Sequence, residues 1–197
     1  MKKTIIILSL AVLMPLFAAA QNGGRPISII PYFSVGWGGF PEKSASSISH
    51  WIGVVGAETK IGLTDKWSLM VGLDYQFRYD ETKIYGHGGV GEVPYYKKFT
   101  GHYLRLPVHM EYENKSYYVA VGPYLEKGFG KMTDNYEFML VGLDLEHGGR
   151  FKLSNQDYLR IGVLTSLGCT LQNRQNYGLI GYYELHWLLK VGYEHQL

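Results

Sequence analysis

Three of the seven histidines, His50, His87 and His102, fall in or beside long links between extended segments of this 197-residue chain. Imidazoles gathered at one rim could bind a transition metal, which takes nitrogen ligands in a tetrahedral set. Each of the three sits on a different segment or link, and no carboxylate can be placed with them. Coincidence is the expectation, and no metal or other cofactor is assigned. Covalent catalysis needs a base within reach of a nucleophile. His50 with Ser49 and His102 with Thr100 are the rim pairs of that type, and nothing singles them out as catalytic. Residues 86–91 (GHGGVG) fit the G-x-G-x-x-G pattern. That fingerprint works only between a strand and a helix, whereas Glu92, Val93, Pro94 and a further strand follow here.

The charged residues form a more coherent group. Asp74, Arg78, Arg105, Glu111, Glu126, Asp144, Glu146, Arg160, Glu184 and Lys190 each lie in phase on the polar face of an alternating segment. If those faces meet inside a narrow barrel, opposite charges must pair, because an unpaired buried charge costs several kcal/mol. Their role is then closure of the lumen. His109 and His186 fall on the same faces, as hydrogen-bonded fillers.

The elements that must position these groups are strands. In the segment 67–79, Trp67, Leu69, Val71, Leu73, Tyr75 and Phe77 lie on one face. Ser68, Met70, Gly72, Asp74, Gln76 and Arg78 lie on the other, because strand side chains alternate. The pattern recurs over 101–113, 116–128, 138–151, 158–171 and 179–194. The segments 26–37 and 49–63 are weaker but compatible, which makes eight. Tight links of turn-forming residues at 64–66, 114–115 and 154–157 alternate with long ones at 38–48, 80–99, 129–137 and 172–178. Short periplasmic turns and longer extracellular loops are the habit of outer-membrane barrels. The longest link, 80–99, carries Tyr85, Tyr95, Tyr96, Lys97 and Lys98, a candidate recognition surface on a loop.

The chain begins like an exported protein. Lys2 and Lys3 precede an apolar run and Ala18-Ala19-Ala20, which predicts a signal peptide over residues 1–20, cleaved before Gln21. Residues 21–197 are then the barrel domain. The signal segment holds two of the 19 basic residues and none of the 17 acids, so the remainder is balanced and no nucleic-acid partner is expected. Cys169 is the single cysteine, which excludes an intrachain disulfide framework. No mature stretch is apolar for the ~20 residues of a membrane helix, so a membrane protein here must be a barrel.

Two barrels could carry the alternation. A soluble lipocalin-like lipid carrier would turn its apolar face inward, and a membrane barrel reverses that. The polar face is rich in small residues, Gly72, Ala120, Gly122, Gly142, Gly162, Ser166, Gly168 and Gly192, which suit a crowded lumen. Trp67, Tyr79, Tyr112, Tyr117, Phe151, Tyr158 and Tyr193 cluster at segment ends, where interfacial girdles belong. The membrane reading accounts for both faces.

The stretches 102–112 (HYLRLPVHMEY) and 116–126 (SYYVAVGPYLE) resemble the paired strands of PorT-like outer-membrane β-barrel proteins, through Tyr103, Leu104, Pro107, Gly122, Pro123 and Tyr124. The resemblance implies a barrel and a secretion-associated role, and brings no catalytic residues. Such barrels usually end in an aromatic, whereas this chain ends in Leu197. The expectation is an all-β, eight-stranded antiparallel transmembrane barrel, an up-and-down meander with four long extracellular loops. It would be non-enzymatic and serve a structural, adhesion or secretion-associated task in the bacterial outer membrane. Its partners would be outer-membrane lipids, the barrel-assembly machinery during insertion, and an extracellular or secretion partner at the loops. The alternatives are a lipid-A-modifying barrel enzyme and the soluble carrier.

Overall fold

A computed structural model describes residues 26–39, 49–84, 95–129, 139–174, 178–180 and 183–197. The expected signal peptide, Tyr85, His87 and the glycine run 86–91 lie outside these residues. The elements are β1 (Ile27–Gly39), β2 (Ser49–Gly62), β3 (Trp67–Ile84), β4 (Tyr95–Asn114), β5 (Tyr117–Phe129), β6 (Met139–Lys152), β7 (Asp157–Arg174), β8 (Gly178–Ile180) and β9 (Tyr183–Gln196). Each long strand pairs antiparallel with its neighbours in sequence, and β1 pairs with β9 to close the ring. The result is a closed eight-stranded barrel, and closure removes the edges that an open sheet exposes. The three-residue β8 prolongs the β7–β9 hairpin against residues 172–174.

The short links satisfy their backbone groups locally. The amides of Leu63 and Thr64 donate to the Trp67 carbonyl, and Thr64 Oγ1 accepts from the Lys66 and Trp67 amides. Ser154 Oγ accepts from the Gln156 amide in the corresponding turn after β6. Between β4 and β5 the last pair is Asn114 with Tyr117, so the turn is Lys115-Ser116, one residue later than the sequence suggests. Lys115 there adopts φ 56°, the left-handed conformation that a two-residue hairpin demands.

At the opposite end the strands run further than their sequence pattern implies. The segment 80–99 is not one long link. β3 continues to Ile84 and β4 starts at Tyr95, with Glu81 opposite Lys98, Thr82 opposite Lys97 and Lys83 opposite Tyr96. Tyr95, Tyr96, Lys97 and Lys98 therefore belong to a strand. Cross-strand pairing extends the ladder past the point where apolar alternation fades.

The two faces differ in an unusual direction. Outward residues are large and apolar: Trp51 is 66% exposed, and Phe33, Val35, Trp37, Val55, Leu143 and Leu189 are each at least half exposed. Inward residues are mostly polar, small or charged. Two apolar groups also sit inside, one of Tyr32, Ile52, Val54, Leu164 and Leu188, the other of Ile30, Met70 and Ala120. Glycines let backbone and rings approach. A Cβ on Gly122 would meet the Val108 carbonyl oxygen of the neighbouring strand at 2.0 Å.

Candidate functional site

The ten charged residues singled out from the alternation all lie inside the barrel, none more than 4% exposed. They fall into three groups. Towards the long-link end, Arg78 donates to Glu184 at 2.8 Å and to Glu126. Its guanidinium lies 4.1 Å from the centre of the Tyr103 ring. In the middle, Arg105 bonds Asp144 and Ser166, and approaches Asp74 to 3.8 Å. Beside it Lys190 Nζ donates to both oxygens of Glu58, at 2.7 and 2.8 Å, and to Glu146 at 2.8 Å. His109 Nε2 contacts Asp144 at 2.9 Å. At the short-turn end, Lys60, Glu111, Glu113, Arg150, Arg160 and Glu194 form one continuous network.

Aromatic rings extend these groups. Tyr124, Tyr118 and Tyr32 lie under Arg105, Arg160 and Lys190 at 3.9, 3.8 and 4.0 Å. A cation sandwiched between carboxylates and a ring face recovers part of the hydration it loses. The same Tyr103 and Tyr124 carry much of the PorT-like pattern, so in this chain those positions serve lumen packing.

Five members of the network were not among the ten: Glu58, Lys60, Glu113, Arg150 and Glu194. On β2 the usual alternation is obscured. Ile52 and Val54 point inward, while the outward Gly53 lies beneath the Phe77 ring, 2.1 Å from where its Cβ would stand. Arg150 follows Gly148 and Gly149, which carry no hydrophobic signal. The available clue was strict i, i+2 spacing: Glu58 and Lys60 keep phase with His50, Ile52 and Val54.

The histidines separate. His50 faces the lumen against His186, whereas His102 shares the outer face with Tyr75 and bonds its hydroxyl at 2.6 Å. Of the rim pairs, Ser49 and His50 are consecutive residues of β2. Thr100 lies exposed on the outer side with His102.

At the short-turn end the network opens into a cavity of about 420 Å³ lined by Ser28, Lys60, Lys66, Glu113, Arg150 and Glu194, among others. Glu113, 20% exposed, and Arg150, 11% exposed, are the wettest members of the network. The ten charged residues named from the alternation are at most 4% exposed.

No protein-family model matches the chain, and no curated protein matches it in sequence. Solved structures match its shape. The outer membrane protein OprG from Pseudomonas aeruginosa superposes with a TM-score of 0.57 at 12% identity, over 88% of this chain and 95% of that one. The outer membrane protein AlkL in lipid bilayers gives 0.51 at 11% identity, over 88% and 90%. Neisserial surface protein A gives 0.50 at 11%, over 87% and 97%. At such low identity the likeness concerns the fold: this chain has the eight-stranded barrel of small outer-membrane proteins.

Proposed function

We propose that the chain is an integral outer-membrane protein, exported by a signal peptide over residues 1–20. In this reading it is a non-enzymatic barrel with a closed lumen that works at its loop end as a structural or adhesive surface. The observation that carries this reading is the inversion of the two faces. Arg78, Arg105, Asp144 and Glu146 are at most 2% exposed, while tryptophans and leucines cover the outside. Water would drive such a surface to aggregate, and hydrocarbon is the solvent that suits it. Two aromatic bands support the same reading. Trp37 pairs in register with Trp51 and Trp187, and Trp51 with Tyr79, at one end. Trp67 packs edge-on against Tyr112, ring centres 5.1 Å apart, at the other. A lipocalin-like carrier would need the opposite facing.

The recognition surface on this reading is the β3–β4 hairpin. β4 runs seven residues past the pairing of His102 with Phe129, to Tyr95. At about 3.3 Å per residue that is roughly 20 Å of paired strand beyond the end of β5. Tyr95, Tyr96, Lys97 and Lys98 then stand on a stiff arm, where an extracellular or secretion partner of acidic or saccharide character could meet them.

Cell fractionation with intact-cell proteolysis tests the reading. The protein is expected in the outer membrane, migrating differently on gels before and after heating. Protease added outside should cut at Lys97 or Lys98 and spare Lys115. Recovery from the soluble periplasm would overturn it, and cleavage at Lys115 alone would invert the topology.

A further inference from the structure

The lysines and arginines of the lumen are paired, but Lys127 stands on the other side of the wall. On β5 the outward residues Leu125, Lys127 and Phe129 alternate with the buried Tyr124, Glu126 and Gly128. Its neighbours out there are apolar. Leu125 and Phe129 flank it along β5, Leu104 faces it on β4 and Met139 on β6. Among the described residues no carboxylate pairs with it. We propose that Lys127, with the neighbouring His102–Tyr75 pair, binds a sugar-borne phosphate of an outer-leaflet glycolipid on the outer face of β3, β4 and β5.

The registers place Lys127 at the level of the aromatic band near the loops. Trp51 pairs with Tyr79, Tyr79 with Thr100 and Phe77 with His102. His102 then pairs with Phe129, two residues from Lys127 on the same face. Such a band marks the edge of the hydrocarbon, where headgroups begin. A lysine at this height lays its methylenes along the apolar wall and lifts its ammonium into the headgroup layer. An anion there is the partner it lacks within the chain.

A second donor lies within reach. The Tyr75 hydroxyl and His102 Nδ1 are 2.6 Å apart, with their rings stacked. Either direction of that hydrogen bond leaves one donor free: the Nε2 proton when the hydroxyl donates, the hydroxyl proton when the ring does. His102 is diagonal to Lys127 across the β4–β5 ladder, roughly 7–8 Å away at the backbone. Charge-assisted bonds of about 2.8 Å to different oxygens of one phosphate span a gap of that order.

The surface on either side suits the rest of the lipid. Below the donors, Tyr75, Leu106 and Leu125 are each at least 38% exposed and offer an apolar bed for acyl chains. Above them, Tyr79 and Phe129, 40% and 44% exposed, present rings at the height of the sugars. The site requires the outer-membrane placement proposed above, with the loops outside, because the external leaflet is where phosphorylated glycolipid resides.

The experiment uses the full chain expressed in bacteria, extracted from the outer membrane in mild detergent and titrated with lipid A by native mass spectrometry. One lipid per barrel is expected. Lipid A stripped of its phosphates should bind at least tenfold more weakly, since a hydrogen bond to a charged group is worth about that much. Lys127→Gln should weaken binding of the phosphorylated lipid by a similar factor, and Tyr75→Phe combined with His102→Phe should also weaken it. Lys152→Gln, at the short-turn end, should leave it unchanged. Heat-dependent gel migration reports whether each variant has folded. If the site variants do not fold, the phosphate dependence of the unaltered chain decides. Recovery of the chain from the periplasm would reject the membrane placement and the site together. A barrel in the outer membrane that binds both forms of lipid A equally, or keeps full affinity in folded Lys127→Gln, would overturn the site alone. Equal binding of phosphatidylglycerol, or displacement of lipid A by millimolar inorganic phosphate, would overturn the glycolipid as its occupant.

Discussion

The middle and the short-turn end of the lumen use the same chemistry in different solvents. Arg105 bonds Asp144 and stacks over Tyr124 where neither charge is more than 2% exposed. Arg150 bonds Glu194 and Glu113, both contacts at 2.8 Å, and stacks over Tyr158 beside a water-accessible cavity. On paper the two arginines look alike. The difference is what remains when one is removed. Water entering the cavity can solvate Glu113, whereas Asp144 and Asp74 have no such recourse.

The largest effect should therefore follow Arg105→Met. It leaves two dry carboxylates facing an apolar side chain, and breaking a buried pair in this way costs about 3–5 kcal/mol. The urea midpoint of the barrel refolded into lipid vesicles measures it. Replacing Arg105 and Asp144 together by apolar residues of similar volume should recover much of the loss. A midpoint unchanged in Arg105→Met would mean that water reaches the middle of the lumen, and the distinction between the two regions would collapse.

The next effect compares the inside of the wall with the outside. Leu106 points outward and is 38% exposed. An arginine there should cost about 2–4 kcal/mol near mid-membrane. Gln76, inside and 1% exposed, lies against Arg78. Gln76→Ser removes one such hydrogen-bonding group and should cost about 1 kcal/mol. The same midpoint measurement reads both, and equal losses would contradict the facing.

Arg150→Ala should cost least of the three arginine changes, about 1 kcal/mol, near the worth of partly solvated pairs. Added salt should shrink the difference, because Arg150 and Glu113 are partly exposed to solvent. A loss as large as that of Arg105→Met, insensitive to salt, would show the turn end to be as dry as the middle.

The same contrast governs what could be read from the sequence. The barrel and the inward placement of Asp74, Arg105 and Asp144 follow from period-two alternation, which holds through the middle of β3, β4, β5 and β6. β2 breaks it, because Ile52 and Val54 fill an apolar pocket of the lumen and Gly53 yields its outward place to Phe77. Glu58 and Lys60 were hidden for that reason. The true reach of β3 and β4 was hidden for another: Glu81, Thr82, Lys97 and Lys98 carry no apolar pattern, and only pairing with each other makes them strand. Least legible was the meeting of His50 with His186. Their separation of 136 residues is crossed only once the β1–β2 and β1–β9 registers place both on Gly38.

The smallest expected effect lies outside the wall, where β7 begins beside the turn from β6. His195 Nδ1, the Ser154 hydroxyl and the Tyr193 hydroxyl all contact the Asp157 carboxylate. These hydrogen bonds, with that of His195 the strongest, draw its pKa down to about 2. A carboxylate held below its unfolded value, about 4, contributes stability that is fully present above pH 4 or so and disappears as the pH falls through about 2. Asp157→Asn removes that dependence and keeps the shape. Between about pH 4 and pH 2 the unaltered barrel should therefore lose more of its urea midpoint than the variant does. Because Asp157 is partly exposed, the difference should stay below that of any lumen substitution. Identical acid limbs would show that the turn contributes nothing to the pH response, and that the buried carboxylates alone set it.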